Sequence, residues 1–187
     1  MKQIILIAVS LLFLPAIASA QEHTGAESDP ARTKPQPQRY VSDAGRYSVL
    51  FPSEPKLSTQ NITMATGDEA VQYMAMSFGG GALLMVGYFD YPAGITFNLD
   101  KARNGMVESA KGTLLDEQSI SLDGAPGRQV RFAGRTEDGT DFINRARFYD
   151  IALRVYVLQC MVVKTDEGPA AAQKCESFFD SFKVSSR

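Results

Sequence analysis

The feature that most constrains this chain is a change of period near its C-terminus. Between residues 141 and 163 the apolar side chains recur with the period of strands, and between 169 and 182 with that of a helix. In 141–149, Phe142, Asn144, Ala146 and Phe148 take one face as small or apolar residues, while Arg145 and Arg147 take the other. That is the pattern of a half-buried strand. The run 153–163 is apolar on both faces, with Val155, Val157 and Met161 set against Tyr156, Leu158, Cys160 and Val162. A strand covered on both sides reads this way, which places it centrally in a sheet. Beyond Gly168 and Pro169, the residues Ala171, Cys175, Phe178, Phe179 and Phe182 fall at i, i+4, i+7, i+8 and i+11, one stripe of a helix. Pro169 suits a first helical turn, where its missing N–H costs nothing. Burying each phenylalanine contributes about 1.5–3 kcal/mol, so this helix must dock. The hairpin before it is the nearest apolar surface, with the arginine face turned to solvent.

The upstream chain supplies material to pair with this unit. Short strands are expected at 39–41, 46–51, 57–64, 70–78, 82–89, 113–122 and 128–135. A helix capped by Thr96 or Asn98 is expected to run to about residue 111, with Leu99, Met106, Val107 and Ala110 on one face and Gly112 ending it. Turn residues separate the strands: Ser42 to Gly45, Pro52 with Pro55, Thr66 to Asp68, Gly79 to Gly81, Asp123 to Gly127, and Glu137 to Gly139. Connections this short join antiparallel neighbours. The fold class is α+β, an antiparallel β-sheet sandwiched by helices, in the order five strands, helix, four strands, helix.

Residues 1–20 read as a cleaved secretory signal peptide. Lys2 gives the positive start, 4–14 the apolar stretch, and Ala18, Ser19 and Ala20 the small-residue cleavage site. The apolar run falls short of the roughly twenty residues that span a bilayer, so no integral membrane segment is expected after cleavage. No cysteine lies near the cut to carry a lipid anchor. Residues 21–38 are polar, contain Pro30, Pro35 and Pro37, and read as a disordered linker. The chain's one histidine, His23, lies there, away from any structured site. Residues 39–187 are the size of a single domain. The formal net charge is −2, and −3 once Lys2 leaves with the signal, which argues against a nucleic-acid partner. The expected location is periplasmic or secreted.

Three segments carry a resemblance. The stretch 45–55 (Gly-Arg-Tyr-Ser-Val-Leu-Phe-Pro-Ser-Glu-Pro), the turn 124–128 (Gly-Ala-Pro-Gly-Arg) and 178–183 (Phe-Phe-Asp-Ser-Phe-Lys) resemble exported bacterial proteins of unknown function. That group is similar to the PsbP-like fold, shared by the photosystem II extrinsic subunit, the DcrB-type periplasmic lipoproteins and a eukaryotic nuclear-import cofactor. The resemblance spans residues 40–184 and implies an antiparallel sheet between helices. It brings no catalytic residues, and fold alone does not transfer a function.

Few side chains are arranged for chemistry. Without a structured histidine, imidazole triads are excluded and zinc sites disfavoured. Asp90, Asp100, Asp116 and Glu117 border the middle helix as candidate paired carboxylates, but such residues mostly solvate helix ends and turns. The Gly79–Gly81 run joins two strands, so it lacks the helix N-terminus a phosphate loop uses. Cys160 and Cys175 lie downstream of an export signal, and an oxidising compartment favours a bridge between them over two buried thiols. Arg131, Arg135, Arg145, Arg147 and Tyr149, with Arg154 and Tyr156 beside them, alternate away from the apolar face and form the candidate binding strip. Arginine forks and tyrosine rings suit anions or protein partners, whereas an ordinary solvated sheet face has the same composition. The leading expectation is a non-enzymatic exported binding or assembly module without cofactor or metal, acting on an unidentified protein partner. The alternative is a binder of a small apolar ligand or lipid between sheet and helix, lined by Met74, Met76 and Met85. A carboxylate-based hydrolase ranks last.

Overall fold

The computed structural model describes the backbone of Lys2–Ile4 together with residues 36–64 and 69–185. The remainder of the expected signal and linker, and the turn at Thr66 to Asp68, lie outside the described residues. Twelve strands and two α-helices run in the order β1 (Lys2–Ile4), β2 (Gln38–Ser42), β3 (Tyr47–Phe51), β4 (Lys56–Thr63), β5 (Glu69–Gly79), β6 (Ala82–Asp90), β7 (Ile95–Phe97), α1 (Leu99–Ser109), β8 (Thr113–Leu122), β9 (Ala125–Arg135), β10 (Asp141–Ile151), β11 (Arg154–Val163), α2 (Pro169–Asp180) and β12 (Lys183–Val184). A 3₁₀ turn, Lys164–Asp166, leads into α2.

Seven strands form one antiparallel sheet in the spatial order β4-β5-β6-β11-β10-β9-β8. The doubly apolar strand β11 is its centre, as its pattern requires. The two faces of β11 head two separate cores. Val155, Val157 and Met161 join Phe132, Phe142, Ala146 and Phe148 under α1, which contributes Ala102 and Met106. Tyr156, Leu158, Cys160 and Val162 join Cys175, Phe178 and Phe179 of α2 and Phe182 just beyond it. A smaller sheet, β12-β3-β2, lies beside α2 on this second face and supplies Tyr47, Val49 and Phe51 to the same core. Strand β1 pairs in parallel with β7, from Lys2 opposite Ile95 to Ile4 opposite Phe97.

Local chemistry explains the boundaries. Asn98 caps α1, its side-chain oxygen accepting from the Lys101 N–H at 2.9 Å, which satisfies one of the first-turn amides. Three hairpins turn on two residues that both have positive φ: Gly80 with Gly81, Asp123 with Gly124, and Ala152 with Leu153. Such turns match the twist of the flanking strands. The last of these has no glycine, so the sequence pattern ends its strand at 149, whereas β10 continues to Ile151. Likewise β9 begins at Ala125, three residues before its expected start. A disulfide joins Cys160 of β11 to Cys175 of α2, with Cα atoms 5.5 Å apart, and ties the helix to the central strand.

Candidate functional site

Three members of the arginine strip, Arg145, Arg147 and Tyr149, lie under cover instead of in solvent. Odd-numbered residues of β10 face α2, so Ile143 and Tyr149 join the second core and carry Arg145 and Arg147 with them. Only 14% and 15% of these two arginine side chains is exposed. Arg145 donates to Glu167 at 2.7 Å, and Arg131 reaches the same oxygen at 3.0 Å. Arg147 donates to Glu176 at 2.6 Å, to Asp180 at 3.1 Å and to the Gln129 side chain at 2.6 Å. Its guanidinium sits 4.9 Å from the centre of the Phe179 ring. Tyr149 is 4% exposed and its ring stacks on Phe182. Arg135 pairs with Asp141 at the surface. The expectation of a solvated strip is therefore corrected for Arg145, Arg147 and Tyr149, while Arg131 stays partly exposed and Arg135 exposed. The helix docks on the arginine-bearing face of the hairpin, and the Phe142 face belongs to α1. Acids flanking the phenylalanine stripe offset part of the cost of burying these cations.

The open ground lies at the other end of the same face. Between the β2–β3 hairpin and the strands β4, β5 and β6 runs a groove of about 460 Å³, walled by Tyr40, Tyr47, Leu57, Thr59, Tyr73 and Tyr88. α2 and β3 cover the middle of the face and leave this end bare. Leu57 is 66% exposed and Tyr73 44%. Two rings and a guanidinium form a column across three strands. Tyr73 stacks on Tyr88 with centroids 5.0 Å apart and planes 12° from parallel. The Arg154 guanidinium lies 4.6 Å from the Tyr88 centroid. Arg154 in turn grips Asp90 with two hydrogen bonds, at 2.6 and 2.7 Å.

Arg154 and Tyr156, expected on the solvated strip, instead position the groove's hairpin wall. Arg154 donates to the Ala44 carbonyl and the Tyr156 hydroxyl to the Gly45 carbonyl, both at 2.8 Å. The turn they hold admits only glycine at position 45, because a Cβ there would lie 2.6 Å from the Tyr47 ring and the Ser42 hydroxyl. Burial raises the phenols of Tyr47 and Tyr88 above the ordinary tyrosine range, with the nearby Arg154 cation pulling Tyr88 the other way. The groove wall is thus neutral at ordinary pH. Asp90 is held below the usual carboxylate range, chiefly by its hydrogen bonds from Arg154.

The other candidates are dispersed. Asp100 pairs with Arg128 and Glu117 with Arg103 on the α1 side, while Asp90 belongs to the Arg154 clamp. Asp100 and Glu117 meet only through a shared Arg103 guanidinium, which neutralises both, and Asp90 lies apart from them. Met76 and Met85 pair across β5 and β6 on the face opposite the groove, and Met74 borders it. Sequence reasoning missed the groove because its tyrosines read as ordinary strand residues. The available signal was the recurrence of tyrosine at 40, 47, 73 and 88 on four of the expected strands.

No protein-family model matches the chain, and no curated protein matches it. Among solved structures, the chain resembles the cyanobacterial PsbP (CyanoP) from Synechocystis sp. PCC 6803 with a TM-score of 0.58 and 12% identity, over 84% of this chain and 98% of that one. A Bacteroides thetaiotaomicron protein gives 0.48 and 12%, over 81% of this chain and half of its own length. PA94, a Pseudomonas aeruginosa protein of unknown function, gives 0.37 and 14%, over 75% and 94%. An antiparallel sheet between helices is the class these elements define. The fold is PsbP-like, as the resemblance of the three sequence segments implied.

Proposed function

We propose that this chain is an exported, non-enzymatic binding module and that the tyrosine groove takes a small apolar ligand bearing a flat ring. The observation that carries this reading is the exposed ring of Tyr73, stacked on Tyr88 and lying beside an open volume of about 460 Å³. Volumes of this order hold drug-sized ligands, and such sites are mostly apolar with a few polar groups. A ring laid on Tyr73 extends the existing column by one member, in the offset or edge-on geometries that aromatic pairs favour. The Ser42 and Thr59 hydroxyls at the walls offer hydrogen bonds that orient the ligand. The wall is built of neutral side chains, which suits binding better than acid–base chemistry. The disulfide between Cys160 and Cys175 supports a life in an oxidising compartment, and with it the exported placement.

Titration with N-phenyl-1-naphthylamine, an apolar aromatic fluorophore, tests the reading. Saturable one-to-one enhancement is expected, weakened at least tenfold by Tyr73→Ala with an unchanged melting temperature. Absence of saturable binding, or binding that Tyr73→Ala leaves intact, would overturn it.

A further inference from the structure

The two edges of the seven-stranded sheet are finished differently. At one edge, β8 carries a register shift between Leu114 and Asp116 and presents Asp116 and Glu117. Irregularities and charges are the devices that keep an edge strand from accepting another strand. At the other edge, β4 pairs with β5 through eight successive residues without a shift. It contains no proline, and its single charge is Lys56 at the first position. Among the described residues its one ladder neighbour is β5. Among the described residues the outward N–H and C=O groups of β4 therefore have no strand partner, and nothing in its side chains repels a further strand.

We propose that β4 is a self-association edge, where two copies of this chain pair antiparallel about a two-fold axis perpendicular to the sheet. A row of backbone donors and acceptors at strand spacing is matched by another strand. The charge pattern accommodates a second copy as that strand. In a two-fold pairing the two Lys56 side chains fall at opposite ends of the ladder, and every position between them is uncharged. Residues of one face then meet residues of the same face, and one register sets the exposed Thr59 of each copy opposite the exposed Asn61 of the other. Hydroxyl and amide groups pair well across such a ladder. The exposed Leu57 gains cover in the same step. The contact is one strand wide, so the dimer forms in a concentration-dependent way. This inference rests on the backbone edge and needs no ligand, although Leu57 and Thr59 also wall the groove.

Sedimentation equilibrium of the purified protein provides the test. The wild type is expected to pass from monomer to dimer as concentration rises. Thr59→Lys with Asn61→Lys, and separately Thr59→Glu with Asn61→Glu, should each weaken dimerisation at least tenfold by placing like charges face to face. An equimolar mixture of the two variants should regain a heterodimer, identified by its mass in native mass spectrometry. A wild type that stays monomeric up to its solubility limit overturns the proposal, as does a dimer that neither variant weakens. Hydrogen exchange of the wild type gives a readout free of mutation. Protection of β4 amides should rise with protein concentration, and protection that does not change overturns the proposal equally.

Discussion

The two ends of the α2-covered face spend their aromatic and charged residues in opposite ways. At the β9–β10–β11 end, Arg145 and Arg147 are largely buried and matched by Glu167, Glu176 and Asp180, while Tyr149 is sealed against Phe182. At the β4–β5 end, the rings of Tyr73 and Tyr88 stack just as closely, but no helix covers them. The same residue types close one end and leave the other open. The difference comes from the cover. α2, tied to β11 by the disulfide, reaches across the centre and one end of the sheet only. Stacked tyrosines are thus part of a structural clamp on one side and of a candidate binding surface on the other.

The largest expected effect lies at the closed end. Phe179 and Phe182 are 3% and 4% exposed, and a buried Phe→Ala change costs about 3–5 kcal/mol. Domains of this size are stable by about 5–15 kcal/mol in total. Phe179→Ala with Phe182→Ala should therefore unfold the chain or leave it barely folded in a urea titration. Truncating Tyr73 and Leu57 together at the open end should shift the same titration little. Equal losses at both ends would erase the comparison.

A middle-sized effect belongs to the clamp. Glu167 is 16% exposed and neutralises both Arg131 and Arg145. Removing one partner of a largely buried pair costs more than replacing both with apolar groups, because a desolvated charge is left behind. Glu167→Ala should cost about 2–3 kcal/mol by analogy with charged hydrogen bonds. Glu167→Leu combined with Arg145→Met should recover part of that loss. A Glu167→Ala protein as stable as wild type would mean that the arginines reach solvent after all.

The smallest effect is a pH dependence at the groove's hairpin wall. Asp90 has its pKa lowered by Arg154 in the folded chain. Its stabilising contribution is therefore fully present above the unfolded aspartate value of about 4. It is lost as pH falls through the lower, folded value. Asp90→Asn should flatten this acid-side part of the stability curve and leave the neutral-pH slope alone. An unchanged acid limb in thermal melts would show that the Arg154 clamp contributes nothing to holding the wall.

Much of the fold was legible locally. The alternating faces of β11, the phenylalanine stripe of α2 and the Asn98 cap each show in a few consecutive residues. The short strands β7 and β12 were not, since two or three residues cannot display a period. For β10, alternation showed that Phe148 and Arg147 point opposite ways but could not say which side α2 takes. The deciding residues, Glu167, Glu176 and Asp180, lie 20 or more positions later and flank the helix stripe; three acids beside three phenylalanines were the usable sign. The groove was least legible, because β2 and β4 meet across it only through tertiary packing.

The contrast between a sealed end and an open one is tested most directly by mapping tyrosine nitration with tetranitromethane, in the presence and absence of saturating N-phenyl-1-naphthylamine. Tyr73 should be nitrated early and protected by the fluorophore, while Tyr149 and Tyr156, at 4% and 1% exposure, stay unmodified in both conditions until the protein unfolds. Nitration of Tyr149 as fast as Tyr73, or a Tyr73 that the bound fluorophore leaves unprotected, would contradict the account.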